Sequence, residues 1–204
     1  WVISMADIAN GPGTGQPVTG SDIHVGAPDV PGAYQWTPDG QTLVFCHSRS
    51  SQQDDWPTTR MARLSLVDGS VQPLGLDDSV TWDPQISPDG RWVACKIYDQ
   101  PAWEWASQVY LLPIAGGPAQ PLADTADRRP DILGWSADGQ LIYYLEKHGT
   151  RQRLCALPAD GSPPQVLFEP EGCIDIARLN QTRSTLAFTL QTLEQPLEVH
   201  LMRF

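Results

Sequence analysis

The hydrophobic positions of this chain fall in short apolar runs rather than on a helical period. The runs are "TLVF" at 42–45, "WVAC" at 92–95, "LIYY" at 141–144 and "TLAF" at 185–188. They are rich in β-branched and aromatic residues, which suit a pleated, half-buried strand. Each follows a polar tetrad: T-P-D-G at 37–40, S-P-D-G at 87–90, S-A-D-G at 136–139 and a degraded copy, N-Q-T-R, at 180–183. The first residues of these tetrads, Thr37, Ser87, Ser136 and Asn180, are spaced 50, 49 and 44 residues apart.

Turn chemistry accounts for the recurrence. Proline presets φ for the first turn position, the aspartate carboxylate accepts nearby backbone N–H groups, and glycine supplies the positive φ that closes a hairpin. After the second strand each copy continues in the same way, with a loop, an alternating strand, a glycine turn and a short last strand. The stretches are "RMARLSLVDGSVQPLG" (60–75), "SQVYLLPIAGGPAQPLA" (107–123) and "RQRLCALPADGSPPQVLF" (151–168). Four antiparallel strands repeating at this interval are the signature of a β-propeller blade. The 19 prolines argue against long helices.

The pattern therefore predicts an all-β chain of four-stranded antiparallel blades, about four blades' worth. Complete blades are expected at 30–75, 80–123 and 130–168, with a half blade at 1–20 and an incomplete one at 174–204. Because the two ends do not tile into one blade, an arc of a larger propeller is expected, the alternative being a stand-alone four-bladed ring. Trp36, Trp82, Trp92 and Trp135 adjoin the strand repeats and are expected in the core. Cys46, Cys95 and Cys155 sit in strand runs and read as small buried hydrophobes. The four cysteines lie far apart and contain no C-x-x-C.

Composition narrows the function classes. A hydrophobic fraction of 41% with 18% charged residues allows a sizeable core. The net charge of −11, with Lys96 and Lys147 the two lysines, lacks the basic face that nucleic acid or an anionic membrane surface would require. No apolar run approaches the roughly 20 residues of a membrane helix. The chain begins with Trp1 and no signal-peptide pattern. An excised or processed piece is expected, with the compartment open between cytoplasm and periplasm. Asp77, Asp78 and Asp83 fit no EF-hand spacing, and neither a metal nor a cofactor is expected.

Candidate binding residues lie in the two long loops between second and third strands, "HSRSSQQDDWPTTR" (47–60) and "YDQPAWEWASQ" (98–108). Both set tryptophan beside acids: Asp54, Asp55 and Trp56, then Trp103, Glu104 and Trp105. Exposed carboxylates and aromatic faces on a rigid scaffold can hold a peptide amine by charge and by cation–π contact. The same combination also occurs in sugar-binding propellers. The plainer alternative is that these tryptophans pack their loops onto the blade edges.

Three segments carry a family resemblance: "SPDGRWVACKIYD" (87–99), "VYLLPIAGGPAQPLAD" (109–124) and, most specifically, "STLAFTLQTLEQPLEVHLMRF" (184–204). They resemble the propeller repeats of the prolyl oligopeptidase family of serine peptidases, including its dipeptidyl-peptidase and acylaminoacyl-peptidase branches. The last segment is similar to the point where such chains leave the propeller for an α/β-hydrolase domain. The resemblance implies a propeller that gates substrate access and lends recognition loops to a hydrolase domain of the same parent chain, with peptides as substrates. This chain holds no G-x-S-x-G elbow, and His24, His47, His148 and His200 form no recognisable triad. By itself it is expected to be inert. The S-P-D-G turn is shared with Tol-type propellers, so a protein-binding scaffold stays open as the alternative. Unpaired blade edges at the ends of an arc also predict self-association.

Overall fold

The structure is a computed structural model and describes residues 15, 17–20, 23–26, 34–98 and 106–204. Among the described residues sixteen strands form four antiparallel sheets. In the first sheet β2 (Tyr34–Trp36) is the inner strand, followed outward by β3 (Thr42–Ser48), β4 (Arg60–Ser65) and β5 (Val71–Leu74). A two-residue strand, β1 (His24–Val25), pairs with the far end of β3, opposite His47 and Ser48. The second sheet runs β6 (Thr81–Ile86), β7 (Trp92–Tyr98), β8 (Ser107–Pro113), β9 (Gln120–Pro121). The third runs β10 (Asp131–Trp135), β11 (Leu141–His148), β12 (Arg151–Pro158), β13 (Gln165–Phe168). The fourth has β14 (Cys173–Leu179), β15 (Thr185–Gln191) and β16 (Glu198–Arg203). Successive inner strands β2, β6, β10 and β14 contact one another, and the chain is a partial β-propeller. Most of 1–20 lies outside the described residues.

The second strand of each sheet shows why its sequence reads as an unbroken apolar run. Counted from the turn residue, the sixth and eighth positions face the preceding sheet, and the seventh and ninth face the next. Val44 and Cys46 thus meet Val93, Cys95 and Ile97 between the first two sheets. Ala94 meets Ile142 and Tyr144 between the second and third. Leu145 meets Leu186 and Phe188 between the third and fourth. With a neighbour on both faces, Val93, Ala94 and Cys95 are all fully buried. In β15 the alternation returns, because among the described residues only the face of Leu186 and Phe188 is covered by another sheet. Val199 and Leu201 of β16 stand 74% and 72% exposed on the other side.

The tryptophans divide along the same lines. Trp135 is buried, and its indole N–H donates to Gln85 O at 2.7 Å, tying the third inner strand to the second. Trp36 occupies the corresponding place in the first sheet, yet it is 45% exposed, so the expectation of a core residue does not hold for it. Its side of the sheet carries Phe45, Ala62 and Leu64, covered by Val18, Ile23 and Val25 and not by a further sheet among the described residues.

The turns repeat one hydrogen-bond set. Ser87 Oγ donates to Asp89 Oδ1 at 2.6 Å and accepts from Trp92 N at 3.0 Å, while Arg91 N donates to Asp89 Oδ1 at 3.0 Å. Ser136, Asp138, Gln140 and Leu141 reproduce it. In the degraded copy Asn180 Oδ1 takes both roles, accepting from Ser184 N at 2.9 Å and Thr185 N at 3.2 Å. The amide survives where proline, acid and glycine do not because one oxygen closes the same loop.

These hydrogen bonds fall on the ionised carboxylate, so acid should loosen the turns. The Ser87 hydroxyl, chiefly, with the Arg91 amide and guanidinium, holds the Asp89 carboxyl at about 2, below its ordinary 3.8. Asp39 and Asp138 are lowered in the same way by Thr37 and Ser136. A carboxyl depressed on folding stabilises above its unfolded pKa and loses that contribution as pH falls toward its folded one. Unfolding free energy is therefore expected to drop between about pH 4 and pH 2, and Asp89→Asn should flatten that slope. An unchanged slope in a denaturant series over this range would contradict it.

Neighbouring turns also touch. A Cβ on Gly90 would lie 3.1 Å from Cδ of Pro38 in the preceding turn, and one on Gly139 would lie 3.6 Å from Cδ of Pro88. Ala137 holds the proline position of the third turn, and the fourth turn then has Arg183 in place of glycine, at φ 58°. Gly90→Ala and Gly69→Ala both force alanine into φ +72°, but space around Gly69 is open. Both should cost about 1 kcal/mol for the left-handed backbone, and Gly90→Ala should cost more through Pro38. Equal losses in urea unfolding would remove the turn-to-turn contact as a source of stability.

Candidate functional site

One face of the arc carries the P-D-G turns. The other carries the loops between second and third strands and those leading to the next inner strand. On this loop face, residues 49–59 close on themselves around a 3-10 helix, Gln53–Thr58. The Arg49 guanidinium and the Ser50 hydroxyl both donate to the Asp55 carboxylate, and together they hold its pKa below the ordinary value. Thr58 Oγ1 donates to Asp55 O at 2.6 Å and Thr59 Oγ1 to Trp56 O at 2.7 Å. Asp55 and Trp56 are buried, and Asp54 is exposed. Of the three residues singled out here, the structure leaves Asp54 available on the surface. Trp103, Glu104 and Trp105 lie outside the described residues.

A second feature of this face was not legible as a site in the sequence. A bulge in β6 between Trp82 and Gln85 puts Asp83 at φ 60°, and bulges re-aim side chains in this manner. Asp83 Oδ2 sits 3.3 Å from Lys96 Nζ on β7, a lysine whose side chain is only 15% exposed. Burial would lower the lysine pKa, but Asp83, the Tyr98 phenol and Asp131 outweigh it and raise it. Beside this pair a cavity of about 110 Å³ opens between the second and third sheets. Lys96, Tyr98, Ser107, Arg129, Pro130 and Asp131 line it. The one sequence signal was a lysine inside the apolar strand "WVACKIY". A wider groove of about 760 Å³ runs between the third and fourth sheets, with Arg151, Glu171, exposed Cys173 and Leu193 among its walls.

Between these concavities the third sheet holds its loop by buried charge. Glu146 on β11 accepts from Arg153 Nε at 2.7 Å and from Ala126 N at 3.0 Å, fixing the 122–130 loop that carries Arg129. Asp127 of that loop accepts from Lys147 N at 2.8 Å and from Arg129 N at 2.9 Å. Nearer the axis, Gln35 Nε2 donates to Gln85 Oε1 at 3.0 Å, and Gln35 Oε1 accepts from Ile86 N at 3.1 Å. Among the described residues no group of three or more histidines, cysteines or acids is placed to hold a metal ion. No helix among them is long and apolar enough to cross a membrane.

Among the described residues, fold and loop face define a propeller module with a network of buried charge and small polar concavities between its sheets. No family model matches the chain. It is 30% identical over 146 residues to tricorn protease homolog 1 of Streptomyces coelicolor, a match covering 69% of this chain and 12% of the relative. It is 27% identical over 143 residues to dipeptidyl-peptidase 5 of Trichophyton tonsurans, covering 63% of this chain and 20% of that protein. In fold it is similar to TolB from Acinetobacter baumannii, at a TM-score of 0.58 and 17% identity over 84% of this chain and 40% of that one. Over the matched residues the chain is a propeller segment related to the propellers of a peptidase family. It spans about a fifth or less of the curated relatives it matches.

Proposed function

We propose that this chain is the propeller portion of a prolyl-oligopeptidase-type serine peptidase. It limits access to an α/β-hydrolase domain of the same parent chain and contributes recognition loops for peptide substrates. The observation that carries the reading is the similarity of two thirds of the chain to two proteins named as peptidases. The loop face supports it, since 49–59 is a self-braced loop that presents Asp54 outward. In this reading Asp54, Trp103, Glu104 and Trp105 meet substrate, and Asp55 and Trp56 keep the first loop in shape.

The test is the coding sequence of the parent. A reading frame that continues past Phe204 into a βα-patterned domain with G-x-S-x-G supports the proposal. A frame without such a domain rejects it and favours the Tol-type scaffold, which shares the fold. A further part of the proposal is self-association of the isolated 204 residues through the open side of the fourth sheet, where Ile176, Val199 and Leu201 are exposed. Light scattering that finds a monomer at high concentration would count against that part.

A further inference from the structure

We propose that the cavity between the second and third sheets is a carboxylate-binding pocket, with Lys96 at its floor and Arg129 at its mouth. The argument starts from hydrogen-bond accounting. A lysine ammonium carries three donors and no acceptor, and a buried charge needs its donors satisfied. Among the described residues Asp83 Oδ2, at 3.3 Å, is the acceptor Lys96 Nζ has. The remaining donors belong to a group that lines an open cavity and is largely withdrawn from bulk water.

The other walls select the partner. Arg129 lies on the same cavity and is exposed at its mouth. Its backbone N–H is fixed by Asp127, so the residue is placed rather than trailing. A guanidinium fork and an ammonium converging on a small polar space match the two oxygens of a carboxylate. At about 110 Å³ the space holds a carboxylate and its first carbons, and the rest of a longer ligand would extend from the open mouth. Ser107, whose hydroxyl donates to Arg128 O at 3.4 Å, and Tyr98 complete the wall. Asp131 shares the mouth and opposes an anion, which sets the affinity low and makes its removal informative. The pocket stands independently of the peptidase reading. The carboxylate can be a free small acid, a peptide C-terminus or an acidic side chain, and the probes separate these sources.

The 204-residue protein is titrated at constant ionic strength and followed by amide chemical shifts. The probes are acetate, N-acetyl-Ala-Ala, N-acetyl-glutamate α-amide with its free side chain, and N-acetyl-Ala-Ala-amide as the neutral control. Saturable shifts centred on Ser107 and Asp131 with the carboxylates, and none with the neutral amide, are expected. The tightest carboxylate identifies the source. Arg129→Gln, a surface change that leaves the fold intact, and Lys96→Met should each weaken binding at least about tenfold, the loss of one charge-assisted contact. Asp131→Asn should tighten it. No saturable response, an equal response to the neutral amide or to chloride, or unchanged affinity in Arg129→Gln would overturn the proposal.

Discussion

Replacing Glu146 by alanine is expected to destabilise the protein by about 3–5 kcal/mol, the cost of removing one partner of a buried ion pair. The Glu146 side chain is 2% exposed and that of Arg153 14% exposed, and they meet at 2.6 Å. The guanidinium cannot discharge by losing its proton. Without Glu146 its remaining carboxylate partner among the described residues is Glu169, 3.9 Å away. The same substitution strips Ala126 N of its acceptor, which leaves the 122–130 loop unanchored. A second group reports on the site: burial, chiefly, and then the Glu146 charge push the Cys155 thiol up to about 12. Glu146→Gln keeps an acceptor oxygen but loses the charge, so its loss should be smaller. Urea unfolding at neutral pH measures both. A loss under about 1 kcal/mol for Glu146→Ala would mean that the pair contributes no more than an exposed one.

The effect should also reach function. Glu146 and Asp127 hold the loop that places Arg129 and Asp131 on the inter-sheet cavity. A variant that remains folded but loses this anchor should lose carboxylate binding before it loses cooperative unfolding. That order links the buried charge of one sheet to the pocket it shares with its neighbour.

The repeat could be read from the sequence because its signals are local. A Ser or Thr, an acid and a glycine at fixed offsets make the same hydrogen bonds within six residues of each other, as Ser87 and Asp89 do with Arg91 and Trp92. The apolar run that follows reports burial on two faces, and the alternation of "TLAFTL" in β15 reports one covered face. What could not be read is whatever depends on the neighbouring sheet. Trp36 and Trp135 look alike in sequence, yet among the described residues only Trp135 has a sheet behind it to receive its indole. The candidate site divides in the same way. Acids beside a tryptophan were visible at 54–56, but not that Arg49 and Ser50 close on Asp55 and withdraw it from the surface. The pocket needs Lys96 on the second sheet and Arg129 on the loop before the third, 33 residues apart, and a bulge at Asp83 that no propensity announces.

Trp135 offers the second large effect, and it separates packing from hydrogen bonding at the seam between two blades. The ring is 2% exposed in a cluster with Ala94, Leu111, Ile142 and Leu157. Trp135→Ala should cost about 3–5 kcal/mol, the usual loss for emptying a large aromatic site in a core that relaxes only in part. Trp135→Phe keeps most of the apolar volume but takes the indole donor from Gln85 O, so about 1–3 kcal/mol is expected. The two values should differ in character as well as size. Gln85 also receives Gln35 from the first sheet, so the phenylalanine variant should couple to Gln35→Ala in a double-mutant cycle, with an interaction energy of about 0.5 kcal/mol or more. Strict additivity would mean that the inner strands are held pair by pair. Coupling would mean that the three inner strands β2, β6 and β10 act as one unit, which is the rigidity a loop face needs if it is to present Asp54 and Arg129 in fixed places.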